Sequence, residues 1–271
     1  MTELNKNDWI IEADKSIKDV LANALRTDKN GSWDENQITT NALNAIGSLG
    51  KQLKWKSQNQ STVWESYKQK GKAETASGDV LFFIKVILSN EVTIEGVIYY
   101  EAKKMYLNER QEPTGYSAFD FNQLGRIVHH SWGSNILLYD VSLTSSANGG
   151  DPEHSVGSFA LPAAFVYSLL KGTSRFTSNQ SKELPGLGKP WANFLADNFS
   201  GFGLDYHPAV VGYAKEYISQ KHPLLPANIV IATTSKAPEI EPELDRRFII
   251  PNLYIPSGED ADGEVIRHTD D

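Results

Sequence analysis

The chain has 271 residues, 40% of them hydrophobic and 22% charged, which gives enough apolar matter for one sizeable core and argues against wholesale disorder. It has no cysteine, which excludes disulfides, thiolate zinc sites, iron–sulfur clusters and a cysteine nucleophile. The net charge of −8 is unevenly placed: residues 236–271 carry four basic and ten acidic groups, a net of −6, which leaves −2 for residues 1–235. Within that body, residues 51–72 hold six lysines against one glutamate. Such a balance disfavours indiscriminate nucleic-acid binding but permits a local basic track; the plainer reading of each cluster is a solvated surface. The first residues show no basic stretch followed by an apolar one, and runs such as residues 80–88 are too short to span a bilayer. The expectation is a soluble cytoplasmic protein without a membrane partner.

In chain order, residues 9–25 place Ile10, Ala13, Ile17, Val20, Leu21 and Leu25 mostly three or four apart and read as a helix. Residues 28–36 are a polar break, and residues 38–53 read as a second helix weakened by Gly47 and Gly50. Residues 54–76 are polar, with Val63, Trp64 and Tyr67 able to form one short amphipathic turn. Residues 80–88 (VLFFIKVIL) and 97–104 (VIYYEAKK) read as strands. Residues 119–132 follow as a helix, 135–143 (NILLYDVSL) as a strand, 145–157 as a loop and 161–171 as a short helix closed by Gly172. A Gly/Ser/Pro-rich stretch to Lys189, helices over 190–201 and 208–220, and a last strand over 228–234 complete the pattern. Strands interleaved with helices after a helical lead-in define an α/β or α+β chain. It divides into a helical N-terminal region (1–55), a core with helical additions (56–235) and an acidic, Pro-containing tail (236–271).

One constellation carries chemistry. Gly78 and Asp79 open the first long strand, and Glu101, Ala102 and Lys103 lie within the second. Residues i and i+2 of a strand share a face, so Glu101 and Lys103 project together while Ala102 turns away. If the strands are neighbours, Asp79 reaches the same place. Two carboxylates hold a hard cation such as Mg²⁺ or Mn²⁺, and the ammonium positions a nucleophile or offsets developing charge. An ammonium between carboxylates stays protonated, which makes a general-base role for Lys103 the weaker one. The bland alternative is a turn aspartate beside a surface ion pair. Against it, residues 97–100 are apolar and should be buried, and charges do not extend a buried strand for free.

The spacing D-x21-E-x-K, with Asp79 at a strand start and E-A-K on an apolar strand, resembles the PD-(D/E)XK, restriction-endonuclease-like nuclease superfamily. The following helix, FNQLGRIVHH with Gln123, and the apolar strand after it extend the resemblance over roughly residues 60–145. The family's proline before the Asp is Gly78 here, and the tyrosine four residues after the Gln is Ile127. The pattern is also similar to nuclease effectors of anti-phage systems. The resemblance implies a restriction-endonuclease-like mixed sheet flanked by helices, Mg²⁺- or Mn²⁺-dependent hydrolysis of DNA, and Gln123 near the scissile phosphate. It further implies a metal-shell Glu on a helix preceding the Asp. Glu65 in the VWESY turn is favoured over Glu74, each reading otherwise as a surface glutamate. Since no sensor or sequence-reading motif is visible, a protein partner, ATPase- or helicase-like, or self-assembly is expected to deliver DNA. The competing readings are a non-catalytic subunit of this fold that binds DNA or a partner, and an RNA-cleaving or repair nuclease.

Other candidates are weaker. His129 and His130 are adjacent on a helix and diverge by about 100°, too far to share one ion easily. Asp205 and His207 form an isolated acid–base pair. Residues 186–190 (GLGKP) lack the spacing and hydroxyl of a phosphate loop, and no G-x-S-x-G elbow occurs.

Overall fold

Asn5 opens α1 (Lys6–Arg26) by accepting the Asn7 N–H, and the expected apolar stripe buries Trp9, Ala13, Ile17, Leu21 and Ala24. Asp34 caps α2 (Glu35–Ser48) through the N–H groups of Asn36 and Gln37, so this helix begins three residues before its first apolar position, Ile38. The structure, a computed structural model, describes residues 2–27, 32–55, 58–70, 79–116, 119, 121–144, 153–170, 176–219, 225–247, 249–251 and 253–258.

Among the described residues, eleven strands form one open mixed sheet. They are β1 (Thr2–Leu4), β2 (Gln52–Trp55), β3 (Gln60–Gln69), β4 (Val80–Ile87), β5 (Thr93–Leu107), β6 (Pro113–Tyr116), β7 (Ser134–Thr144), β8 (Glu153–Pro162), β9 (Lys189–Pro190), β10 (Asn228–Ser235) and β11 (Tyr254–Pro256). The order is β1-β2-β3-β10-β4-β5-β7-β8-β9, with β11 on β3 and β6 on β5. β4 and β5 are antiparallel, and β7 lies parallel to β5. A parallel neighbour requires a crossover, and α3 (Phe121–His130) lies on that connection. The remaining helices are α4 (Ala163–Leu169), α5 (Ser178–Lys182), α6 (Trp191–Phe199) and α7 (Pro208–Ser219).

Two cores result. The larger joins α1, α2 and α6 to the sheet through Trp9, Trp55, Trp64, Phe82, Tyr100 and Phe199, with Trp9 and Trp55 centroids 6.0 Å apart and Trp64 and Phe199 5.4 Å apart. The smaller sets α7 against Leu81, Phe83, Val97, Tyr99, Ile229 and Ile231. The 1–55 region is helical over α1 and α2 but also gives β1 and β2 to the sheet, and it shares the larger core rather than standing outside it.

Several boundaries differ from the sequence reading: residues 52–53 of the expected second helix lie in β2, and the Gly/Ser/Pro-rich stretch holds α5. Residues 63–67 lie in β3, not in a helical turn, and the second half of the expected 145–157 loop opens β8. The tail is anchored over its described part: β11 pairs with β3, Tyr254 is buried, and Thr233 Oγ1 donates to the Glu243 carbonyl. Among the described residues, no helix is long and apolar enough to cross a membrane.

Candidate active site

Asp79 stands immediately ahead of β4. Its N–H donates to the Tyr100 carbonyl at 2.8 Å, and its own carbonyl accepts the Asn228 N–H at 3.0 Å, so β5 and β10 fix it from either side. Its Oδ2 accepts the Ala102 N–H at 2.7 Å. In β5, Lys103 Nζ donates to Glu101 Oε1 at 2.5 Å, and Ala102 turns to the larger core. The same glutamate oxygen accepts Gln123 Nε2 from α3 at 2.7 Å. Asp79, Glu101 and Lys103 are 7%, 4% and 8% exposed. The buried run Val97–Ala102 draws the charged pair inward, since an apolar strand packed on both faces carries its own continuation with it. The structure therefore brings Asp79, Glu101, Lys103 and Gln123 together.

It adds a residue that the sequence reading passed over. Glu35, the first residue of α2, accepts the Lys104 N–H at 3.0 Å, and its charge acts on both Asp79 and Lys103. Three anchors hold α2 across these strands. Trp33 Nε1 donates to the Met105 carbonyl at 2.8 Å, Thr39 Oγ1 lies 2.6 Å from Tyr139 Oη on β7, and Thr40 Oγ1 donates to Asn228 Oδ1 on β10 at 2.9 Å. The available signal was the Asp-Glu pair just before Ile38, an N-cap followed by a helix-favouring acid.

The Lys103 ammonium thus bonds Glu101 and feels the charges of Asp79 and Glu35. Burial, then the Glu101 charge, pushes the Asp79 carboxyl well above the usual carboxylate range, and neither Lys103 nor the Ala102 N–H cancels this. Burial likewise raises Glu35, against the pull of Lys103 and the Lys104 N–H. For Lys103, burial works to lower the pKa, but the charge and hydrogen bond of Glu101, with Asp79 and Glu35, prevail and raise it, so the group is an ammonium. Among the described residues, no ready-made group of three or more acidic or imidazole side chains is placed to hold a metal ion. The donor chemistry still suits a hard divalent cation: oxygen ligands only, and a buried excess of negative charge relieved either by protons, as the raised carboxyls indicate, or by a cation.

Other candidates fall elsewhere. Glu65 is on β3, separated from β4 by β10, and is not a site carboxylate. Arg246 binds it through two contacts of 2.8 Å, and the Tyr67 hydroxyl donates at 2.5 Å. Burial would raise its pKa, but Arg246 and Tyr67 more than offset this and hold it low. The basic segment divides. Lys68 aligns with Asn228 and Val80 at the Asp79 end of the sheet, with Lys70 just beyond, whereas Lys54 aligns through Ser61 and Ser235 with Ile87 at the far end. His130 packs edge-on to Tyr99 at 4.9 Å, and burial lowers its pKa. Asp205 binds backbone and hydroxyl donors, and His207 Nδ1 accepts the Ala209 N–H. Residues 186–190 lie in a short 3₁₀ turn and β9. Lys56, Lys72, Glu74 and Gly78 lie outside the described residues. Compared with protein-family models, curated proteins and solved structures, the chain matches none.

Proposed function

We propose that the chain is a metal-dependent nuclease that hydrolyses DNA phosphodiester bonds. The observation that carries this reading is the buried convergence of Asp79, Glu101 and Lys103, with Gln123 on the Glu101 oxygen. Burying charges costs several kcal/mol each, roughly, before any pairing is counted, so a site rich in them at the end of an apolar strand calls for a use. The element order supports a restriction-endonuclease-like core within the larger sheet. Asp79 starts one strand, E-x-K lies on its antiparallel neighbour, a helix bears Gln123, and the next strand returns parallel.

Asp79 and Glu101 would hold Mg²⁺ or Mn²⁺, with Glu35 adding its charge from α2, and the ion when bound would supply charge against the phosphate and lower the pKa of coordinated water. Lys103, kept protonated, donates a hydrogen bond that orients the attacking water and stabilises charge building on the phosphate oxygens; it does not abstract the proton. Gln123 fixes the Glu101 carboxylate from the α3 side, which sets the direction of the Lys103 ammonium.

The test is incubation of the purified protein with plasmid, linear duplex and single-stranded DNA and with RNA, in Mg²⁺, Mn²⁺ or EDTA. DNA should be cut only with metal, and Glu101→Ala or Lys103→Ala should slow cutting by about 10²-fold or more at unchanged circular dichroism. Glu101→Ala cutting at the wild-type rate ends the assignment.

A further inference from the structure

α3 has a second face, distinct from the one that carries Leu124 and Ile127 into the core. Asn122, Arg126 and His129 recur at intervals of four and three residues, all exposed, and Trp132 continues the stripe just past the helix end. Asn122, Arg126 and His129 border a groove of about 570 Å³ between α3 and α4, floored by Gly125 and walled by Phe121 and Tyr167, and Trp132 stands beyond it. The Phe121 and Tyr167 rings stack at 4.5 Å with 21° between their planes. Among the described residues lining this groove, the charged or titratable groups besides the tyrosine are Arg126, His129 and His130, and none is acidic, in a chain of net charge −8.

Trp132 is 89% exposed, an unusual state for a tryptophan. Its backbone is clamped. Ser131 Oγ and the Trp132 N–H both donate to Asp205 Oδ2, at 2.9 and 3.2 Å, and the Gly133 N–H donates to Ser131 Oγ at 3.0 Å. Gly133 packs so closely that a Cβ there would lie 3.0 Å from the Val97 carbonyl and the Asp205 nitrogen. A rigid turn that holds an indole in water loses little freedom when a flat partner stacks on it. Gln123 lies one turn before Arg126 on the same helix and reaches Glu101, so the helix that presents this face also touches the carboxylates.

We infer that the α3 face is a track for single-stranded nucleic acid, with Trp132 as a stacking platform and Arg126 as a phosphate contact. On the nuclease reading, on which the strand's fate rests, this makes an unpaired strand the substrate. Only unpaired bases offer their faces to an indole, and stacking of this kind tolerates any sequence.

The test is anisotropy of labelled single-stranded DNA, single-stranded RNA and duplex DNA oligonucleotides titrated with the full chain in EDTA, where nothing is cut. Single strands should bind more tightly than duplex, with the DNA and RNA arms naming the polymer. Trp132→Ala should weaken binding by about 5- to 150-fold, the equivalent of one stacked base, and Trp132→Phe should recover much of it. Arg126→Gln should reduce the slope of log affinity against log salt by roughly 0.7. Equal affinity for duplex, wild-type affinity in Trp132→Ala, or no oligonucleotide binding at all, which would leave the face to a protein, each overturns the inference. A protein that binds single strands through Trp132 yet cuts nothing with any metal upholds the track and fails the nuclease reading. One that cuts duplex while Trp132→Ala changes no affinity does the reverse.

Discussion

Asp79 accepts the Ala102 N–H and is 7% exposed, so its carboxyl sits within the sheet rather than in solvent. Burial and the Glu101 charge push that carboxyl upward in pKa. A carboxyl whose folded pKa exceeds its unfolded value near 3.9 binds protons on folding. Its contribution to stability is therefore complete below that unfolded value and is lost as pH rises through the raised folded one. Metal-free protein should accordingly lose thermal stability between pH 5 and 8, and Mg²⁺ or Mn²⁺ should restore it. Asp79→Asn keeps an oxygen for the Ala102 N–H, removes the charge, and should melt higher than wild type at pH 8 in EDTA, by about 2–4 °C for each kcal/mol relieved. It should gain nothing from metal. Melting curves of both proteins with and without metal check this, and an Asp79→Asn protein that melts lower at pH 8 would contradict the charge repulsion described.

At the scale of elements, the strands that carry Asp79, Glu101 and Lys103 were legible because β4 and β5 are apolar runs packed on both sides. β7 and the helices α1, α3, α6 and α7 were legible by the same periodicity. Among the strands not read as such, the two long ones, β3 and β8, were hidden for opposite reasons. β3 turns polar residues inward: Gln60 Nε2 donates to the Phe199 carbonyl, and Thr62 bonds Thr234 across the sheet. Buried hydrogen bonds of this kind leave no hydrophobic alternation to read. β8 reads as a loop because Gly157 and Ser158 interrupt it, yet the Phe159 ring lies 2.8 Å from where a Gly157 Cβ would stand, so the glycine makes room for an aromatic neighbour. The helical carboxylate was sought at Glu65 and Glu74, close to Asp79 in sequence. The structure instead places Glu35, 44 positions upstream on α2, beside Lys104, and only the docking of Thr39, Thr40 and Trp33 onto three strands brings it there. That tertiary relation has no local signature beyond a well-capped helix start.

Over the whole molecule, a net charge of −8 means that polyanion binding depends on where the few uncompensated cations lie. The sheet register separates the lysines of the basic segment into those at the Asp79 end and those away from it. Lys68→Gln with Lys70→Gln should lower the salt slope of DNA binding by roughly 0.7–0.9 for each phosphate no longer neutralised, and Lys51→Gln with Lys54→Gln should leave it unchanged. Equal effects from the two pairs would show that the register does not define the DNA path.

On the proposed function, one metal-dependent site lies where the start of α2 meets β5 beside Asp79, with Glu35 next to it and Glu65 outside it. The most direct measurement is the Mn²⁺-dependent cleavage rate of a labelled DNA oligonucleotide by wild type, Glu35→Gln and Glu65→Gln. Cleavage should fall by about 10²-fold in Glu35→Gln, which removes a charge that acts on both Asp79 and Lys103. Glu65→Gln, which loses a partly exposed pair with Arg246 worth about 1 kcal/mol or less, should cut at the wild-type rate. Full activity in Glu35→Gln together with loss in Glu65→Gln would contradict this placement of the site.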